Sequence, residues 1–224
     1  MNSSAAPRAA LFDVDGTLTD TNHLHVTCWW EALRQAGHTV PAYSIHHALG
    51  LPGEDLLDHL LGKDRDKSAD DALSAAHETL YGTYFDRLAA FDRAADLLRA
   101  LDGRGWRVVL VTSAGSEELQ ALRRAIDADD AISATASADD VDEGKPAPDP
   151  VCHALDLVGA PARGAVFVGD SVWDMKAAAR AGVTAVGLLC GGIPRQDLEE
   201  AGARSVYRNP AGLLDRLDVG PFAA

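Results

Sequence analysis

The feature that most constrains the fold is an alternation of short apolar runs with segments of helical periodicity in the second half of the chain. The apolar runs span 107–112, 165–168 and 184–188, and the helical patterns span 92–101, 117–126 and 175–181. Strands that alternate with helices form βαβ units, whose parallel sheets need helices on both faces. With a further apolar run at 9–12, the sequence predicts an α/β fold with a doubly wound parallel sheet.

A long helical segment interrupts this alternation after the first apolar run. From about residue 22 to residue 90, apolar residues recur three and four positions apart, as in the leucines of 56–61. Its breaks, at 37–41, 50–53 and 62–66, combine residues that end helices or turn the chain. We therefore predict a core domain formed by 1–19 and 91–224, with an all-α domain inserted at 20–90.

Composition excludes several classes of partner. The chain has 224 residues and a net charge of −14, whereas nucleic acids and anionic membranes require a cationic face. Its three cysteines are widely spaced and form no zinc or disulfide pattern, which favours the cytoplasm. No apolar run is long enough to span a bilayer, residues 1–8 show no leader pattern, and the tail at 220–224 is expected to fray.

Polar residues follow each apolar run at the point where a parallel sheet gathers its ligands. Asp13 and Asp15 follow the first run, and residues two apart on a strand point the same way. The other members of this set are Thr112, Ser113, Asp170, Asp174 and Lys145, the last in the proline-rich loop 143–150. The carboxylates of Asp13 and Asp170 suit Mg²⁺, and Thr112 with the amides of a helix start suits phosphoryl oxygens.

Each of these signals has a plain structural alternative when taken singly. An Asp-x-Asp-Gly stretch is common in turns, and Asp170 with Asp174 fits a helix N-cap followed by a first-turn acid. An EF-hand is excluded, because the glycine comes too early and Leu24 stands at the position of the bidentate glutamate. The occurrence of all four signals in one order favours a phosphoryl-transfer site.

In this order and placement the segments resemble the four motifs of the haloacid dehalogenase superfamily of phosphotransferases. The correspondence runs through 13–17 (DVDGT), the strand ending at Thr112, Lys145 in the sequence GKPAPD, and Gly169-Asp170-Ser171 with Asp174. The insertion at 20–90 is similar to the helical cap of the first cap type in that superfamily. The resemblance covers nearly the whole chain and implies a Rossmann-like core under a helical cap.

The resemblance also implies a role for each motif residue. Asp13 would be the nucleophile that forms an aspartyl-phosphate, and Asp15 would protonate the leaving oxygen and then activate water. Asp15 would therefore hold a proton at neutral pH, an expectation that its charged neighbour Asp13 favours. The implied Mg²⁺ ligands are Asp13, Asp170 and the backbone carbonyl of Asp15; the implied phosphate-binding residues are Thr112, Ser113 and Lys145; and Asp174 would position Lys145 or a metal-bound water.

Asp15 also bears on the type of reaction. Dehalogenases of this superfamily lack the second acid, so its presence favours phosphoryl chemistry. We predict a Mg²⁺-dependent phosphomonoesterase that acts on a small phosphorylated metabolite. A sugar phosphomutase similar to β-phosphoglucomutase is the alternative, although Gly53 and His77 stand where that branch uses an arginine and a lysine.

A non-catalytic binding protein that retained the fold is a further alternative from a different class, but it should have lost a motif residue. Specificity in such proteins comes from the cap. The cap residues expected to face the substrate are His25, Leu51, Pro52 and His77.

Overall fold

The computed structural model describes residues 6–223. Residues 1–5, part of the segment 1–8 in which we predicted no leader pattern, and residue 224, the last of the segment predicted to fray, lie outside the described residues. The strands are β1 (Arg8–Phe12), β2 (Trp106–Val111), β3 (Ile132–Ala136), β4 (Ala165–Gly169), β5 (Thr184–Leu188) and β6 (Ala203–Tyr207). The α-helices are α1 (Asn22–Gln35), α2 (Ala42–Ala48), α3 (Gly53–Leu61), α4 (Asp70–Gly82), α5 (Ala94–Asp102), α6 (Ser116–Ile126), α7 (Asp149–Val158), α8 (Val172–Arg180), α9 (Arg195–Glu200) and α10 (Pro210–Leu214). None of the helices within 6–223 combines the length and apolar character that a membrane crossing requires.

Across the described residues the strands form one parallel sheet in the order β3-β2-β1-β4-β5-β6. β1 is central, with Phe12 opposite Leu110 of β2 and Val168 of β4. This order reverses direction at β1, where chain connections leave toward opposite edges and open a crevice at the carboxyl ends of the strands. The predicted α/β class, with a Rossmann-like doubly wound sheet, is confirmed.

Two apolar layers cover the faces of the sheet, and β1 contributes to both in alternation. Ala10 and Phe12 pack in the layer that includes leucines of α5, whereas Ala9 and Leu11 pack in the layer that includes α7 and α8. Because side chains alternate along a strand, a strand between two helical layers must be apolar at every position. This explains the continuous apolar run at 9–12.

Helices α1–α4 follow β1 and pack around an apolar cluster of their own. That cluster includes Trp29 and Leu33 of α1, Ile45 of α2 and Leu57 of α3. The segment is helical as predicted, with a single 3₁₀ turn at Phe85–Arg87 before the chain returns to the sheet. The domain boundaries at 20 and 90 stay a prediction.

The C-terminal tail differs from its prediction. Phe222 is only 1% exposed, and its ring meets Trp106 edge-on with the ring centroids 5.0 Å apart. The frayed tail was therefore the wrong expectation for this residue, because a single aromatic side chain anchors the tail to the layer beside α5.

Candidate active site

The side chains predicted from the four motifs lie at the carboxyl edge of the three central strands. Asp13 follows β1, Thr112 follows β2 and Asp170 follows β4. The backbone holds this arrangement, since the Asp13 N–H donates to the Val168 carbonyl at 2.9 Å. The Thr112 hydroxyl accepts from the Ala114 N–H at 3.0 Å, which fixes the turn that leads into α6.

A buried ammonium group lies between two carboxylates at the centre of this edge. Lys145, 1% exposed, places its Nζ 2.5 Å from Asp13 Oδ1 and 2.8 Å from Asp174 Oδ1. Burial disfavours the charged lysine, but the charges of Asp13 and Asp174 outweigh it and raise the Lys145 pKa above its usual value. Lys145 is therefore a fixed cation beside the first acid of the chain.

Asp174 serves the fold and the site at once. Its Oδ2 accepts hydrogen bonds from the N–H and the hydroxyl of Ser171, at 3.0 and 2.7 Å, in a capping box at the start of α8. Its Oδ1 faces Lys145. The helix-cap explanation and the lysine-positioning explanation therefore both describe this residue.

Asp13, Asp170 and Asp174 form a compact oxygen cluster, with their ligand atoms within 4.8 Å of one another. Burial raises the pKa of Asp13 to about 7, and burial followed by the charges of Asp13 and Asp174 raises the pKa of Asp170. Three carboxylates face one ammonium here, an excess of negative charge that a divalent cation offsets. Buried carboxylate oxygens are the donors that Mg²⁺ prefers, so the residues present fit that ion.

Two residues outside the predicted set hold Asp170 in place. The Thr17 hydroxyl lies 2.8 Å from Asp170 Oδ1 and 3.1 Å from Asp13 Oδ2, and Asn22 Nδ2 donates to Asp170 Oδ2 at 2.8 Å. Gly191 packs so closely that a Cβ there would overlap the Asp170 carboxylate. Thr17 lies in the DVDGT segment and was identifiable from it, whereas no sequence pattern marks Asn22.

The side chain of Asp15 turns away from the oxygen cluster toward the helical insertion. Its Oδ1 accepts from the Thr21 hydroxyl at 2.6 Å and lies 3.3 Å from His25 Nε2. The same His25 nitrogen lies 3.3 Å from Glu118 Oε1 of α6. Glu118 was not predicted, because nothing but the tertiary fold brings α6 to α1.

The pKa shifts of Asp15 and His25 differ from the expectation that Asp15 is protonated. Burial acts to raise the pKa of Asp15, but the hydrogen bonds and charge of His25 and the Thr21 hydroxyl outweigh it and lower that pKa. Burial likewise acts to lower the pKa of His25, yet Asp15 and Glu118 raise it to about 10. These shifts contradict the expectation that Asp15 holds a proton at neutral pH, because the lowered pKa of Asp15 and the raised pKa of His25 favour the proton on His25.

A column of stacked rings continues from His25 through the helical insertion. His25 stacks on Tyr81 with centroids 3.8 Å apart, its Nδ1 lies 3.1 Å from His77 Nε2, and His77 stacks on Trp29 at 4.2 Å. Burial and the nearby charge of His25 lower the pKa of His77 to about 3. His77 is therefore neutral and accepts the hydrogen bond that His25 donates.

The cap residues predicted to face the substrate divide between two cavities. His25, Leu51 and His77 line a cavity of about 340 Å³ above Asp13, while Pro52 lines a neighbouring cavity of about 510 Å³ with Thr112 and Lys145. Ser113 borders both. Pro52 packs on Gly144, which lines the same cavity, and a Cβ at Gly144 would overlap the proline ring.

Comparison with known proteins identifies the family. The model of the haloacid dehalogenase-like hydrolases matches residues 7–182. The chain belongs to this family. The predicted resemblance is thereby confirmed, as is the prediction of an enzyme of the phosphatase type.

Two relatives of this chain are named as phosphatases, and two similar solved structures share its fold. A phosphoglycolate phosphatase of Neisseria gonorrhoeae is 30% identical over 190 residues, which are 82% of this chain and 80% of the relative. A putative pyrophosphatase PpaX of Caldanaerobacter subterraneus is 27% identical over 194 residues, 86% of each chain. A hydrolase from Pseudomonas syringae superposes with a TM-score of 0.89 at 34% identity and covers 94% of this chain and 98% of its own. A putative β-phosphoglucomutase from Bacteroides vulgatus, at 20% identity and a TM-score of 0.85, covers 96% of this chain and 89% of its own and shares the fold.

Proposed function

We propose that this chain is a Mg²⁺-dependent phosphomonoester hydrolase that acts on a small phosphorylated metabolite through an aspartyl-phosphate. The observation that carries the proposal is the contact of Asp13 with Lys145 inside the cluster formed with Asp170 and Asp174. A carboxylate that attacks a phosphate dianion is repelled by it, unless cations at the same site offset both charges. Lys145 is one such cation, and the acid cluster provides the ligands for another.

Each site residue has its own role in the proposed reaction. Asp13 attacks phosphorus and displaces the alcohol, forming the aspartyl-phosphate that water later cleaves. Lys145, with Thr112 and Ser113, binds the phosphoryl oxygens. His25, hydrogen-bonded to Asp15, supplies the proton that Asp15 passes to the departing oxygen. When water attacks the aspartyl-phosphate, Asp15 takes a proton from that water and passes it to His25, which holds it until the next turnover.

Mg²⁺ would be held by Asp13, Asp170 and the backbone carbonyl of Asp15, with Asp174 beside them. When bound, it neutralises charge at the phosphoryl oxygens and polarises the phosphorus centre. Thr17 and Asn22 orient Asp170 for this role through their hydrogen bonds. Asp174 holds Lys145 against Asp13.

The lining of the cavity above Asp13 favours hydrolysis over the mutase alternative. A mutase that turns over a sugar bisphosphate must bind a second phosphate, which requires a cationic side chain. Among the described residues the lining of this cavity contains no arginine or lysine. Gly53 and His77, the positions compared with that branch, both border the cavity, and His77 is neutral.

Hydrolysis of p-nitrophenyl phosphate with Mg²⁺ tests the proposal. We expect turnover by the wild type, its loss with EDTA, and a loss of roughly three or more orders of magnitude in Asp13→Asn. Asp92→Asn, which removes an exposed acid outside the site, is the matched control and should keep full activity. Acid-quenched wild type should carry phosphate on Asp13 in mass spectra, and turnover by Asp13→Asn close to that of the control would refute the mechanism.

A further inference from the structure

The turn that follows β5 contacts both Asp170 and a histidine of the helical insertion. This 3₁₀ turn spans Leu189–Gly191 and is followed by Gly192. A Cβ at Gly191 would overlap the Asp170 carboxylate, and a Cβ at Gly192 would lie 2.9 Å from Cε1 of His46, a residue of α2. The two glycines therefore let consecutive residues of bare backbone contact the carboxylate of Asp170 and the imidazole of His46.

Hydrogen bonds to the Gly191 carbonyl connect the same two side chains. His46 Nε2 lies 2.7 Å from this oxygen and must donate to it, since a carbonyl only accepts. Asn22 Nδ2 donates to the same oxygen at 3.1 Å and to Asp170 Oδ2 at 2.8 Å. Because these two bonds use both hydrogens of the Asn22 amide, the position of the Gly191 carbonyl determines where Asn22 holds Asp170.

Two further contacts join this part of the insertion to the core. Trp173 Nε1 donates to the His47 carbonyl at 3.1 Å, and a Cβ at Gly50 would lie 2.8 Å from Ser171 Oγ. Ser171 forms the capping box with Asp174 at the start of α8. The end of α2 and the residues after it therefore contact both the turn after β5 and the start of α8.

Asp170 depends on its hydrogen-bond donors because it lies among like charges. It is 3% exposed and belongs to the oxygen cluster with Asp13 and Asp174. Neighbouring carboxylates repel one another, so the donors decide how this carboxylate is oriented before a cation arrives. Loss of an outer partner that orients a metal ligand typically lowers metal affinity by about 10- to 100-fold.

We infer, on the basis of the proposed function, that His46 is a positioning residue for the Mg²⁺ site. Its hydrogen bond fixes the Gly191 carbonyl, and through Asn22 that carbonyl holds Asp170 in the orientation that binds the ion. The helical insertion thereby completes a metal site whose ligands follow strands of the core. Because binding free energies are reciprocal, Mg²⁺ and the contact of α2 with the turn after β5 strengthen each other equally.

Calorimetric titration of magnesium chloride into the metal-free full chain tests this inference. His46→Leu keeps a side chain of similar size and removes the donor, so we expect the Kd for Mg²⁺ to rise roughly tenfold. His46→Gln carries an amide nitrogen near the position of Nε2 and should keep the Kd within about threefold of the wild type. His46→Asn is shorter, cannot reach the carbonyl and should resemble His46→Leu.

A neighbouring histidine provides the matched control. His47 is exposed in the same helix, and its contact with Trp173 uses the backbone carbonyl, which His47→Ala retains. This variant should bind Mg²⁺ like the wild type. Hydrolysis of p-nitrophenyl phosphate by His46→Leu should fall at low Mg²⁺ and recover at saturating Mg²⁺, whereas a merely structural role would lower kcat at every Mg²⁺ concentration.

The outcomes separate this inference from the proposed function. A Kd for His46→Leu within about threefold of the wild type, or a loss in His46→Gln as large as in His46→Leu, would overturn the inference and leave the hydrolase intact. If His46→Leu does not fold, the comparison of His46→Gln with His46→Asn decides in the same way. A wild type that binds Mg²⁺ but hydrolyses no ester would refute the proposed function alone, and a wild type that binds no Mg²⁺ would overturn both.

Discussion

Replacing Lys145 by methionine should strongly destabilise the protein in a pH-dependent way. Methionine has a similar length and removes only the ammonium group that lies between Asp13 Oδ1 and Asp174 Oδ1. Both carboxylates are buried, at 7% and 1% exposure, so water cannot replace the lost partner. Breaking a buried ion pair by removing one member costs about 3–5 kcal/mol, and we expect Lys145→Met to fall in that range at alkaline pH.

The pH dependence follows from the remaining acids. Burial holds the pKa of Asp13 at about 7 even with Lys145 present, above the ordinary value of 3.8. Without the lysine this pKa rises further, and the protonated acid carries no unpaired charge. The destabilisation is therefore present above the folded pKa and is relieved as the pH falls through it, by up to about 1.4 kcal/mol for each pH unit.

Urea unfolding in EDTA, followed by the fluorescence of the buried residues Trp29 and Trp106, measures both effects. Lys63→Met, at an exposed position, is the control and should unfold like the wild type at every pH. The reasoning is refuted if Lys145→Met lies within about 1 kcal/mol of the wild type at alkaline pH, or if the gap does not change with pH.

Two further predictions concern the metal and the tail. Because Asp13, with a pKa of about 7, must lose its proton to bind Mg²⁺, the affinity for Mg²⁺ should rise with pH through neutrality. Calorimetric titrations with Mg²⁺ should show proton release near pH 6 and none at alkaline pH. An affinity for Mg²⁺ that does not change with pH would contradict this prediction. Phe222→Ala should cost about 3–5 kcal/mol in urea unfolding, since it removes the buried ring that packs on Trp106. Val219→Ala, at a residue 75% exposed, should cost less than about 0.5 kcal/mol, and equal losses in the two variants would refute the packing argument.

The sequence was informative about the fold wherever a strand is covered on both faces. The strands β1, β2, β4 and β5 are apolar along almost their whole length and were predicted from that. The edge strands β3 and β6 were not predicted, because each is only partly buried and mixes polar with apolar residues, as in the sequence ARSVY of β6. A strand at the edge of a sheet forms by pairing with one neighbouring strand, and that pairing leaves no periodic pattern in the local sequence.

The residues of the site were also predictable only in part. The structure brings Asp13 and Asp170, which follow predicted strands, together at one edge with Lys145, which comes from the loop 143–150. Glu118 and Asn22 could not be predicted, because each reaches the site from a helix and only through tertiary packing. The protonation of Asp15 was equally inaccessible: His25 was expected near the substrate, but its hydrogen bond with Asp15 could not be predicted from the sequence.

The contact between Pro52 and Gly144 carries an evolutionary constraint. The two residues lie far apart in the chain, one at the start of α3 and the other directly before Lys145, and no side chain fits at 144 while the proline ring stays where it is. Residues 52 and 144 should therefore covary among relatives, with larger residues at 144 accompanied by smaller ones at 52. A cap exchanged between two such enzymes should fit its new core only when that pair is exchanged with it.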